Sequence, residues 1–179
     1  MELLTPHLNL RPFKRDDLNH LAGLYADPEV TIFTKLGQLT RREAEAILDS
    51  YLDDWRRNKF GIYAALLRSN REFAGECGLF SLEGSDVPAL RYAFHRRFWG
   101  KGLATEAASA VIDCAFRKLG LKRIVSFVEK PNEASHHVTR KLGFSFERIT
   151  QTSKGALYVY TLSPEQWAAC IWQSSAQPR

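Results

Sequence analysis

The feature that most constrains this chain is a short apolar stretch that runs into a basic, glycine-bearing loop and on into a long amphipathic helix. Ala89 to Phe94 is apolar and aromatic enough for a strand, and Arg97-Phe98-Trp99-Gly100-Lys101-Gly102-Leu103-Ala104 follows. From Ala104, the residues Ala107, Ala108, Val111, Ile112, Ala115, Phe116 and Leu119 recur in an i, i+3, i+4 pattern, one stripe along a helix. A helix start exposes backbone N–H groups at the positive end of its dipole, which suits a phosphate. Gly100 and Gly102 let the backbone come close to an anion, and Arg97 and Lys101 add charge. From these residues alone the loop is either an anion cradle or a solvated turn into a surface helix. Two familiar phosphate loops are excluded. No glycine stands five residues before Gly100 for a P-loop, and Thr105 sits where Gly-x-Gly-x-x-Gly needs its third glycine.

Arg97-x-x-Gly100-x-Gly102 followed by Leu-Ala-Thr-Glu resembles the pyrophosphate loop of the GNAT acetyltransferases, and Phe-Trp-Gly-Lys-Gly-Leu-Ala-Thr-Glu-Ala is closest to their RimJ/RimL-like branch. Three further segments agree: Lys130-Pro-Asn-Glu-Ala-Ser135 with Arg140-Lys-Leu-Gly-Phe144, Leu10-Arg-Pro-Phe13, and Tyr25-Ala-Asp-Pro-Glu-Val30. The resemblance covers nearly the whole chain. It implies an α/β (α+β) GNAT fold, a mixed, mostly antiparallel splayed sheet of about six or seven strands with helices on both faces. It also implies acetyl-CoA as acetyl donor and a primary amine as acceptor.

Composition bounds the answer independently. A chain of 179 residues suits one domain, here 1–179 with a polar tail from about 174, and 45% hydrophobic with 25% charged residues is ordinary for a globular protein. No apolar run reaches membrane-spanning length, and the first residues lack a secretory pattern, so a cytoplasmic protein away from membranes is expected. Cys77, Cys114 and Cys170 are odd in number and widely spaced, which argues against a disulfide framework and against a metal site. The net charge of +5 suits a polyanionic cofactor. The basic residues form no tract and no aromatic–basic repeat, which speaks against nucleic acid. A monomer or a homodimer is expected.

In chain order, Leu8 to Phe13 reads as a strand, Asp16 or Asp17 as the cap of a helix ended by Pro28, and Thr40-Arg-Arg-Glu43 as a capping box opening a second helix. The connection Val30 to Leu39 carries few core-periodic positions. In the family such a segment helps cover the acceptor, which makes it the candidate for selecting the substrate. Gly61 to Leu67 and Glu72 to Phe80 flank a turn, and their apolar runs predict central strands. Glu83 to Asp86 is a loop, and Gly120 closes the long helix. Ile124 to Val128 is a strand, and a short helix from about Asn132 stops at Gly143. Phe144 to Thr150 and Leu157 to Leu162 are strands around a turn with Lys154-Gly155, and Ser163-Pro164 opens a last helix.

Acetyl transfer from a thioester to an amine needs the donor held, the amine deprotonated, and the oxyanion and thiolate stabilised. The resemblance assigns holding to Arg97, Gly100, Lys101, Gly102 and Ala104, and the main-chain bonds of the pantetheine arm to Tyr92, Ala93 and Phe94. It places Asn132 at the cofactor and Ser135 near the sulfur. Read as residues, Asn132 and Ser135 sit three apart at a helix start, where plain capping is the alternative. Thr139 stands where many relatives carry a tyrosine, which leaves Ser135 as the group beside the thiolate. Relatives often carry a glutamate where Ala89 stands here. The base candidates are then Glu76, whose neighbours Gly75 and Gly78 suggest open surroundings, and His95, whose ordinary pKa suits the task. A solvent-facing carboxylate is the plain alternative for Glu76. Arg91 reads as a structural salt-bridge former. The functional expectation is an acetyl-CoA-dependent N-acetyltransferase acting on a protein N-terminal or small-molecule amine. The alternative, prompted by Ala89, is a non-catalytic acyl-CoA-binding or regulatory domain.

Overall fold

The computed structural model describes residues 1–34, 36–82, 84–152 and 155–176. Two compact units emerge, one of Met1–Phe80 with Arg91–Ile112, the other of Ser81–Leu90 with the chain from Asp113 onward.

The first unit begins with β1 (Leu3–Leu4) and β2 (Leu8–Pro12), followed by a 3-10 turn at Arg15–Asp17 and α1 (Leu18–Ala26). Asp17 does not cap α1 through its side chain. Its carboxylate takes two hydrogen bonds from the Arg11 guanidinium, at 2.7 and 2.8 Å, and one from the Lys14 N–H at 2.7 Å. Charge-assisted bonds to arginine outbid a single cap. Pro28 ends α1 as expected and opens a short α2 (Pro28–Thr31) capped by Asp27, whose Oδ1 accepts the Glu29 N–H at 2.9 Å. Helix α3 (Arg41–Asn58) opens on the expected capping box: Thr40 N–H donates to Glu43 Oε2 at 2.7 Å and Glu43 N–H to Thr40 Oγ1 at 3.3 Å.

Strands β3 (Ile62–Leu67) and β4 (Phe73–Leu82) pair antiparallel, with Ala64 opposite Glu76 and Ile62 opposite Gly78. Strand β5 (Ser85–Phe94) leads to a 3-10 turn at Arg96–Phe98 and then to α4 (Leu103–Arg117). Phe13, Leu21, Leu24, Tyr25, Leu48, Tyr51 and Ile62 form the buried core of this unit, with Leu36 and Leu39 packed against it. At roughly 25 cal/mol per Å² of apolar surface, burial of such side chains is the main force holding α1 and α3 on the strands.

The second unit contains β6 (Ile124–Glu129), α5 (Glu133–Lys141), β7 (Ser145–Thr152), β8 (Gly155–Leu162) and α6 (Pro164–Ala176). Strand β8 pairs antiparallel with β6 and with β7, the latter through an irregularity between Phe146 and Arg148. Strand β6 runs parallel to β5 over two pairs, Ala89 with Val125 and Leu90 with Ser126. The strand order is β1-β2-β3-β4-β5-β6-β8-β7, a mixed eight-stranded sheet. The strand beyond the expected six or seven is the two-residue β1. Gly143 takes φ +81° and ends α5. Helix α6 reaches Ala176, inside the stretch read as a tail. Glu83, Lys154 and residues 177–179 lie outside the described residues.

Candidate active site

In the first unit, Gly100 and Gly102 hold φ of +73° and +78°, values that side-chain-bearing residues rarely adopt. A Cβ on either would meet nothing within 4 Å, so the loop backbone lies open at the start of α4. That is the fit a diphosphate needs: exposed main chain ahead of a helix N-terminus. The loop is braced from beneath. Trp99 Nε1–H donates to Phe94 O at 2.7 Å, and the Arg96 guanidinium lies 4.7 Å from the Trp99 ring. The Arg97 charge is shared with Glu72, at 2.6 Å, whereas Lys101 lies 5.5 Å from the Phe98 ring and is exposed. Ala104 is half-buried in the first turn of α4. Ahead of the loop, Ala93 and Phe94 are buried and Tyr92 half-buried. The Phe94 carbonyl is thus already engaged by the indole.

Glu76 is not in open surroundings, and it does not face solvent. It is 0% exposed. A Cβ at Gly75 would fall on the Ala93 carbonyl oxygen and 2.7 Å from Phe94 Cα, and one at Gly78 on the Gly61 carbonyl oxygen. The two glycines therefore admit neighbouring backbone, not substrate. The carboxylate accepts a hydrogen bond from Tyr25 Oη at 2.7 Å, and Tyr51 Oη reaches both of its oxygens, at 3.1 and 3.2 Å. Arg91 Nε lies 3.3 Å away without hydrogen-bond alignment. Burial pushes the Glu76 carboxyl up to about 8, against the downward pull of the Tyr25 hydrogen bond. Burial also raises Tyr25, with the Glu76 charge adding to it. His95, half-buried, donates its backbone N–H to Ala74 O at 3.0 Å and sets its ring edge-on to Phe73. Burial and then the Arg97 charge lower its pKa, so the imidazole is neutral at pH 7.

The second unit carries Asn132 and Ser135. Asn132 Oδ1 accepts the Ser135 N–H at 3.0 Å, so the asparagine does cap α5. Ser135 is half-buried, and its carbonyl accepts Thr139 Oγ1 at 2.7 Å. The helix is anchored by buried His136, whose Nδ1 lies 2.8 Å from Tyr160 Oη and whose Nε2 lies 3.3 Å from Lys130 O. A neutral ring satisfies both, with Nε2–H donating and Nδ1 accepting. An open groove in this unit is lined by Val87, Val125, Phe127, Val159, Arg123 and Arg148 among others, and by none of the expected site residues. Among the described residues no group of three His, Cys, Asp or Glu side chains could hold a metal.

The convergence of Tyr25, Tyr51 and Arg91 on Glu76 is what sequence reading missed. Neither tyrosine is among the expected site residues, and Arg91 reads as a salt-bridge former. The available signal was a charged residue inside two apolar strands, since such a residue needs a partner.

The Acetyltransferase (GNAT) domain family matches residues 7–145. This chain is a GNAT acetyltransferase. Its reaction is acetyl transfer from acetyl-CoA to an amine. The acetyltransferase is 29% identical to the uncharacterized N-acetyltransferase p20 of Bacillus licheniformis over 177 residues, 93% of this chain and 98% of that one. It is 29% identical to the spermidine N(1)-acetyltransferase of Escherichia coli K12 over 142 residues, 78% of this chain and 74% of that one. Its fold matches RimL, a ribosomal L7/L12 α-N-protein acetyltransferase solved with coenzyme A, with a TM-score of 0.81 at 16% identity, covering 91% of this chain and 98% of that one. The acetyltransferase thus stands among named N-acetyltransferases, and a non-catalytic acyl-CoA-binding role is not favoured.

Proposed function

We propose that the acceptor is the amine of a peptide or protein N-terminus, with the whole chain acting as one acetyltransferase domain in the cytoplasm. The observation that carries the acceptor reading is charge. A net +5 opposes a polycation such as spermidine and tolerates a neutral or acidic peptide. The likeness to RimL agrees in fold. A small-molecule amine is the second reading, favoured by the 29% identity to the spermidine enzyme. The cytoplasmic placement rests on three free cysteines, of which Cys77 and Cys114 are buried. No helix of the described residues is long and apolar enough to cross a membrane.

In this reading the loop from Arg97 to Ala104 holds the diphosphate through the backbone at Gly100 and Gly102, with Arg97 and Lys101 supplying charge. Tyr92, Ala93 and Phe94 offer main-chain groups to the pantetheine arm, and Asn132 contacts the cofactor. Ser135 donates its hydroxyl to the departing thiolate. Glu76 takes the amine's proton by way of Tyr51 Oη, the hydroxyl that touches both carboxylate oxygens. His95, neutral and half-exposed, is the other proton acceptor. The segment Val30 to Leu39 covers the acceptor, held by Leu36 and Leu39 against the core. Release of free CoA thiol, measured over matched peptides, polyamines and small amines, tests the assignment. Turnover on peptide N-termini above spermidine is expected; the reverse ranking would overturn it.

A second expectation concerns the loop. Gly102→Val meets no steric neighbour but forces a β-branched residue to φ +78°. The strain, about 1–3 kcal/mol, turns the backbone away from its anion-binding geometry. The Kd for acetyl-CoA should rise roughly tenfold to a hundredfold in calorimetry while the exposed loop leaves folding intact. Unchanged affinity in a folded variant would remove the loop from the site.

A further inference from the structure

Arg91 is the least satisfied charged group among the described residues. Its side chain is 24% exposed, yet Nε and Nη2 are buried without a hydrogen-bond acceptor. A guanidinium carries five N–H donors in a rigid planar fork, and buried donors are nearly always paired. Its other neighbours are flat: the Tyr51 ring at 5.1 Å and the Phe80 ring at 5.4 Å from Cζ. They hold the fork in plane without using its donors. Among the described residues its acidic neighbour is Glu76, at 3.3 Å and out of alignment, with the carboxyl already taken by Tyr25 and Tyr51.

We infer that Arg91 is a specificity residue that binds a carboxylate of the acceptor, so that the preferred amines also carry an acid group. The inference rests on the amine-acetylating reading above and narrows its substrate class. A carboxylate is planar and accepts two parallel N–H bonds, the geometry a guanidinium offers. One guanidinium supplies a single positive charge, which suits a monoanion rather than a phosphate dianion. The position is also productive. The cation sits over Tyr51, whose hydroxyl bonds Glu76, so an acceptor anchored there lies next to the group assigned to take its proton.

The test uses the full chain with saturating acetyl-CoA and free CoA thiol as readout. Each acceptor, an amino acid or a short peptide, is assayed twice, as the free acid and as the amide. In the parent, kcat/KM for acids should exceed that for amides about tenfold or more. In Arg91→Gln this ratio should fall to about one, and in Arg91→Lys to an intermediate value, since an ammonium lacks the fork. The ratio is the informative quantity, because any effect of the substitution on Glu76 acts on both members of a pair. Acetyl-CoA affinity by calorimetry reports whether each variant is folded. Should neither variant fold, simple monocarboxylates should still inhibit the parent competitively against the amide acceptors. An acid-to-amide ratio near one in the parent, a ratio that persists in Arg91→Gln, or no inhibition by monocarboxylates would overturn the assignment while leaving acetyl transfer standing. No thiol release with any amine would overturn both.

Discussion

Glu76→Gln should lower kcat by about a hundredfold, the order of effect that loss of a general base produces. The carboxyl is pushed up to about 8 by burial, so below that pH it holds a proton and glutamine is its near isostere. The variant therefore keeps the Tyr25 and Tyr51 contacts and folds. The sign of the pH effect follows. A base with a raised pKa gains activity as pH climbs through that value, so the kcat of the parent should rise through about pH 8. With an acceptor amine of low basicity, which stays deprotonated across the range, this limb belongs to the enzyme alone. In Glu76→Gln the limb should vanish. If the variant retains its rate, the proton goes to His95, whose lowered pKa puts its limb below the ordinary imidazole value and not near 8, and His95→Gln should then carry the loss.

Gly78→Ala should be strongly destabilising. The new Cβ would fall on the Gly61 carbonyl oxygen and 2.6 Å from Ile62 Cα. That carbonyl is already used: it accepts the Leu79 N–H at 3.2 Å. Both neighbours are backbone at the start of β3 and cannot swing aside as a side chain would. Overpacking of this kind costs roughly 3 kcal/mol. For a chain of this size that is a fall of about 10 °C in Tm, read by thermal unfolding. A Tm within a degree or two of the parent would mean that β3 and β4 can part at no cost.

The contrast between these residues shows what a sequence carries. The capping box at Thr40 and Glu43 and Gly143 after α5 were legible, because each depends on neighbours within a few positions. Asp17 went astray by a small margin. Its cap was local, but the competing Arg11 lay six residues back, on β2. Glu76 was read as open because glycines leave room. Whether room faces solvent or another strand is decided by pairing across the sheet, which local spacing does not encode. The cluster around it draws Tyr25 from α1, Tyr51 from α3 and Arg91 from β5, three elements that only tertiary packing unites. A buried ionisable group and its partners were the least legible part of this fold for that reason.

The seams between the two units fall at Phe80/Ser81, Leu90/Arg91 and Ile112/Asp113, that is, inside β4, inside β5 and inside α4. Domain boundaries usually fall in exposed linkers, where a crossover between genes does little harm. Here every seam falls inside a hydrogen-bonded element, and a cut there would leave backbone groups orphaned. A fragment cut at any of these seams would lose part of a strand or helix, so neither unit should fold when expressed by itself.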